Sequence, residues 1–253
     1  MDSGKGIGVD GWLATIRQEG ARMAAAPVES LTLDVPTCPG WTVADLIGHT
    51  GAVHRWATDR VTRRDQYRGY AEIDVPQTSE VLEWYAEGRD LLLEALASSS
   101  PDTPAPTFVG ERDVAWWCRR QANEVAVHRW DLDSAVRPGH ERPVDAVLAL
   151  DGIDEWRELF VSRFLTAGPG VPEALIGATL GVCPIDIDGV GRRFTVSSSG
   201  FAVDDDVDAA DAVISGSASD LLLTIWHRRP LSSVEVGGRA GAAAAVLDLV
   251  HVT

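Results

Sequence analysis

Glu124 and His128 lie four residues apart inside Trp116 to Trp130, a stretch without Gly or Pro and rich in residues tolerated in a helix interior. Read as helical, it projects carboxylate and imidazole from one face, one turn apart. Such a pair can share a metal ion, or simply hydrogen-bond as i, i+4 neighbours. A metal site needs a third ligand from elsewhere, and His49 and His54 are the candidates. They lie on a segment where Val43, Leu46, Val53, Ala57 and Val61 share one apolar face, with Gly48, Arg55 and Asp59 opposite. The two histidines fall on the two edges of that face, about 140° apart, so one centre takes one of them, and the helical wheel leaves open which. A packing role suits either equally. Two imidazoles and a carboxylate form the donor set of a catalytic-type zinc site, whose fourth position is left to water or a substrate sulfur. Other divalent metals, Cu or Ni, bind such donors comparably, so zinc rests on availability and geometry.

The chain must be large enough to position these groups. Its 253 residues, 45% hydrophobic, suffice for one large domain or two modest ones. Lys and Arg total 22 against 38 Asp and Glu, a formal charge of -16. Such a surface repels phosphate backbones and anionic headgroups, which excludes nucleic acid and membrane as expected partners. Cys38, Cys118 and Cys183 are odd in number and far apart, against a disulfide framework or a Cys-type zinc site. Cys118, inside the helical stretch, reads as an inert packing residue. Met1 to Lys5 is not followed by an apolar leader segment, and no run approaches the ~18 apolar residues of a membrane span. A cytoplasmic location is expected.

A first helix is expected over Asp10 to Ala26, ended by Pro27, and a second starts at the capping box of Thr42 and Asp45. A third follows Pro76 through Leu96, an irregular loop occupies Pro101 to Gly110, and the Glu124 helix runs from about Glu111 to Val136. Val144 to Leu165 supplies another helix, with Leu148, Ile153, Trp156, Phe160 and Phe164 at core spacing. Successive amphipathic helices define a bundle over residues 1–166. The Gly/Pro run at 167–172 reads as the domain boundary, and residues 171–253 as a small α+β domain. In that domain Leu175 to Ile187, Arg193 to Ser197 and Ala212 to Ser215 are expected strands. A helix is capped by Ser217 to Asp220, and Val234 to Val236 leads into a final Ala-rich helix from about Arg239. The fold class is thus multi-domain, α then α+β.

Two segments carry a family resemblance. They are Cys38 to His49, with its Pro39-Gly40-Trp41-Thr42 turn, and Arg119 to Asp131, with Glu124, His128, Arg129, Trp130 and Asp131 in series. Together they resemble the mycothiol-dependent maleylpyruvate isomerase family of actinobacteria, a branch of the DinB-like bundles. Gly216 to Leu223 and Arg228-Arg229-Pro230 are similar to the family's sterol-carrier-like C-terminal domain, so the resemblance covers nearly the full chain. It implies a DinB-like four-helix bundle with metal ligands His49, Glu124 and His128, and leaves His54 as an outer-edge residue. It also implies mycothiol as thiol cosubstrate and a small electrophile, such as an unsaturated keto acid, that is isomerised or conjugated. Arg228 matches an arginine that the family carries near the active-site mouth, suited to a catalytic carboxylate clamp; a solvated residue at a helix C-terminus would read the same. Asn123 departs from the family, whose members commonly have His before the ligand Glu. Two alternatives stand beside this reading. One is a zinc-water hydrolase, for which Asp131 is the one candidate base; the other is a small-ligand-binding protein with a structural metal.

Overall fold

Apolar spacing and capping chemistry build a first unit of four helices in the computed structural model, which describes residues 7–63, 69–77, 79–168 and 170–251. Met1 to Lys5 and Pro169 of the expected boundary lie outside the described residues. Helices α1 (Val9–Ala24), α2 (Val43–Arg63), α3 (Glu80–Ser98) and α4 (Val114–Val136) form the bundle. α2 packs on α3 and α4, and α1 on the same two. Ile16, Met23, Leu46, Ile47, Tyr85, Leu92 and Trp117 have no exposed surface and make its core.

The start of α2 follows the expected chemistry. Thr42 N–H donates to Asp45 Oδ2 at 2.9 Å, and Asp45 N–H donates to Thr42 Oγ1 at 3.2 Å, so two otherwise orphaned amides are satisfied reciprocally. Ahead of it, Trp41 N–H closes a turn on the Cys38 carbonyl at 3.0 Å. Gly40 supplies the positive φ of 85° that this turn requires. The cap and turn hold Cys38 and Trp41 beside the first turns of α2.

Three details of the bundle differ from expectation. Gly48 and Asp59 are buried rather than on an outer polar face, because α2 is flanked on both sides. A Cβ at Gly51 would meet Trp84 at 2.5 Å, so α3 lies directly on that side. The segment after Pro101 is a hairpin of β1 (Pro104–Thr107) and β2 (Gly110–Asp113) rather than an irregular loop. Asp113 then caps α4, its Oδ1 accepting from Trp116 N–H at 2.8 Å, which starts that helix at Val114.

The chain divides into compact units at Arg142 and Pro143, ahead of the Gly/Pro run that suggested a later boundary. Helix α5 (Ala146–Glu155) continues through a π-helical stretch, Trp156–Val161, into α6 (Ser162–Ala167), and α5 packs on α7 (Ala218–Ile225) in the second unit. Trp156 meets Phe201 with ring centroids 5.7 Å apart, Phe160 meets Trp226 at 5.0 Å, and Arg192 pairs with Asp154 at 3.1 Å. A Gly/Pro run marks where the chain turns; it does not say which core a neighbouring helix joins.

The second unit's sheet has the order β5-β4-β3-β6-β7. Its strands are β3 (Thr179–Pro184), β4 (Arg192–Val196), β5 (Phe201–Asp204), β6 (Ala212–Gly216) and β7 (Glu235–Gly238). β3 runs parallel to β6, and every other pairing is antiparallel. α7 and α8 (Ala240–Leu247) pack on β3 and β6. The sequence reading missed β5 and β7, both of them edge strands with mostly exposed side chains and therefore without the alternation that marks a strand. Among the described residues, no helix is long and apolar enough to cross a membrane.

Candidate metal centre

α2 and α4 bring His49, Glu124 and His128 together. Glu124 Oε1 lies 3.4 Å from His49 Nε2 and 3.4 Å from His128 Nε2, and the three ligand atoms all lie within 4.8 Å of one another. The two rings stand edge to face, with centroids 5.2 Å apart. The His49 side chain is 26% exposed, against 10% for His128, so the cluster opens on the His49 side. Trp41 stands over the pair, its ring 4.8 Å from His49 and 6.3 Å from His128.

Each imidazole is held from behind. His128 Nδ1 lies 3.0 Å from Asp131 Oδ2, and His49 Nδ1 lies 2.8 Å from the Tyr70 hydroxyl. Asp131 has no exposed surface. Its other oxygen accepts from the Thr37 hydroxyl at 2.6 Å, and the Cys38 thiol sits 3.6 Å from Oδ2. With Nδ1–H donated backward, the Nε2 lone pairs are left for a cation, the arrangement that fixes ring orientation in metal-binding histidines. Glu124 is braced by Arg120, which donates to its Oε2.

The charges agree with this geometry. Burial alone would raise the pKa of Glu124, but Arg120, with hydrogen bonds from His128 and His49, holds its carboxyl well below the usual carboxylate range. Burial also opposes charge on His128, yet hydrogen bonds to Asp131, Cys38 and Glu124 hold its pKa well above the ordinary value. A cation entering here replaces a proton, as metal binding to histidine requires. The donor set, two rear-anchored imidazoles and one ionised carboxylate, fits a divalent metal with an open coordination position.

Asp131 is a positioning residue in this arrangement. Its oxygens face Thr37, Cys38 and the rear of His128, so the carboxylate that the hydrolase alternative needs as a base is directed away from the three converging ligand atoms. Asp131→Asn should keep the fold and lower zinc affinity by roughly 10- to 100-fold, read by chelator competition. An unchanged affinity would refute this role.

His54 is not an outer-edge residue. It has no exposed surface, its Nδ1 lies 2.8 Å from Gln121 Oε1, and its Nε2 lies 3.4 Å from the Tyr85 hydroxyl. Burial pushes its pKa from 6.5 down to about 4. Between those two values the unfolded chain binds the proton and the folded chain does not, so this group's contribution to stability is present above pH 6.5 and declines as pH falls toward 4. From pH 7 to pH 5 the loss is about 2 kcal/mol. Urea denaturation at both pH values should show this acid-side loss in the parent and a smaller one, by that amount, in His54→Gln.

Arg228 belongs to the second unit and is only 8% exposed, with Nη1 donating to the Trp226 carbonyl at 3.2 Å. It is thus not a solvated helix-end residue. Asn123 is buried in α4 and outside the ligand cluster. Cys118 is buried and its thiol is pushed up by burial to about 11, which suits an inert packing residue. The sequence reading passed over Thr37, Tyr70 and Arg120. Only the i, i+4 spacing of Arg120 and Glu124 signalled one of them.

Two imidazoles and a carboxylate brought together from neighbouring helices of a bundle make a candidate metal centre. Residues 13–133, which hold the helical bundle, match the family model described as the mycothiol maleylpyruvate isomerase N-terminal domain. Two solved structures share its fold. The crystal structure of the mycothiol-dependent maleylpyruvate isomerase is 14% identical with a TM-score of 0.58, and a His-to-Ala mutant structure of that name is 12% identical with a TM-score of 0.61. Each likeness covers 90% of this chain and 92% of the other. No match was found among curated proteins.

Proposed function

We propose that the chain is a zinc-dependent enzyme that uses a low-molecular-weight thiol, mycothiol, to isomerise or conjugate a small electrophile such as an unsaturated keto acid. The observation that carries this reading is the convergence of His49 Nε2, Glu124 Oε1 and His128 Nε2 on one point that opens past His49. A divalent cation bound there supplies Lewis acidity and keeps a thiol deprotonated at neutral pH. Asp131 and Tyr70 keep the two imidazoles in the ligating tautomer, Arg120 keeps Glu124 ionised, and Trp41 limits water over the ligands. Arg228 is proposed to hold the substrate carboxylate; a guanidinium this buried is suited to binding an anion. The three free cysteines accord with a reducing, cytoplasmic location.

The match of residues 13–133 to the mycothiol maleylpyruvate isomerase N-terminal domain, and the likeness to solved structures of mycothiol-dependent maleylpyruvate isomerase, support the thiol and the reaction class. Cobalt-substituted protein tests the thiol: adding mycothiol should produce a sulfur-to-metal charge-transfer band in the parent and none in Glu124→Gln. A mass-spectrometric panel of unsaturated keto acids and common electrophiles then reads isomer or adduct. No band with any small thiol would remove the thiol chemistry.

A further inference from the structure

The second unit holds a group of side chains that the bundle chemistry leaves unused. His227 follows α7 in a Schellman turn, its N–H reaching the Thr224 carbonyl at 3.0 Å while Arg228 N–H reaches the Leu223 carbonyl at 2.7 Å. That position takes left-handed backbone and favours glycine. His227 nevertheless occupies it, at φ 56°, the one non-glycine positive φ among the described residues. A side chain kept where glycine is cheaper directs attention to what the imidazole does.

Its Nε2 lies 3.2 Å from the Leu247 carbonyl and 3.1 Å from the Val250 carbonyl. Both partners are acceptors, so Nε2 carries the proton and Nδ1 keeps its lone pair. Metal-ligating histidines are oriented in the same manner, by donation of the second N–H to a backbone carbonyl. The His251 ring stacks on His227 with centroids 3.9 Å apart, and Asp248 Oδ1 lies 3.8 Å from His251 Nε2. One ligand atom from each of the three lies within 4.8 Å of the others.

We propose that His227, Asp248 and His251 form a second site for a zinc-type divalent cation, which ties the end of α7 to the segment after α8. Two imidazoles and a carboxylate suit a borderline cation. The stacked ring planes are nearly parallel, at 12°, so their in-plane lone pairs do not converge as they stand; Asp248 and His251 are more than half exposed, at 66% and 56%, and ligation requires His251 to leave the stack and turn with Asp248 toward His227 Nδ1.

Equilibrium dialysis of the full chain against zinc at neutral pH tests this. Asp248→Ala/His251→Ala alters only exposed side chains and should bind one zinc fewer per chain than the parent. His49→Ala/His128→Ala should retain that equivalent while losing the bundle's own, so the two sites fail independently. Equal zinc uptake by the parent and Asp248→Ala/His251→Ala would overturn the second site, whatever the bundle variant does.

Discussion

Zinc affinity of the His128→Ala chain is expected to fall by more than about a hundredfold, beyond the ~10- to 100-fold that follows loss of an outer hydrogen bond. The reason is the ligand count. Three donor atoms converge on one point, and removing one leaves a two-ligand set with no rear-anchored partner from α4. Glu124→Gln should do the same by a different route, since it keeps the side-chain shape but takes away the charge that Arg120 holds ionised. Chelator competition gives the affinities, and far-UV circular dichroism checks that both variants keep their helices. Thiol-dependent turnover should disappear with the metal in both. If either variant held zinc as tightly as the parent, the centre would have been assigned to the wrong residues.

Loss of the guanidinium in Arg129→Met should cost about 3–5 kcal/mol of stability, the range for breaking a buried charge pair from one side. Arg129 is 1% exposed. Its Nε donates to Glu19 Oε2 at 2.5 Å, and its Nη1 donates to Asp133 Oδ2 at 3.1 Å and to the Arg142 carbonyl at 2.6 Å. One planar cation therefore joins α1, α4 and the end of the first unit. Both carboxylates would lose this buried cation, Glu19 keeping Arg22 on its other oxygen and Asp133 keeping Arg137 and the Arg142 N–H. Lysine should restore only part of the loss, because an ammonium does not reproduce the planar fork. Urea unfolding curves measure both, and a shift under about 1 kcal/mol, the value of an exposed pair, would sink the claim. Arg129 sits about 100° round the helix from His128, so zinc affinity of the folded variant should not change.

Much of the bundle was legible because helix chemistry is local. The Thr42 and Asp45 box, the Glu124 and His128 spacing and the apolar rows of α1 to α4 each act through neighbours within a turn or two. The choice between His49 and His54 was of another kind. Both lie on margins of one apolar face, and the resemblance to the family, not the periodicity, pointed to His49. In the structure α2 lies between α3 and α4. His54 is consequently enclosed by Tyr85 and Gln121, while His49 meets Glu124. Asp131 illustrates the same limit: its spacing from His128 was visible, but its direction depends on Thr37 and Cys38, more than ninety residues away in sequence.

The sequence by itself determined the donor types, the one-turn spacing of Glu124 and His128, the helix starts and the change of texture from helices to strands. Tertiary structure alone decided which histidine faces Glu124, that Asp131 backs His128, and that α5 packs on α7 rather than in the bundle. Backbone geometry and capping are settled by residues a few positions apart. Burial and side-chain partners are settled by segments that meet only when the chain has folded.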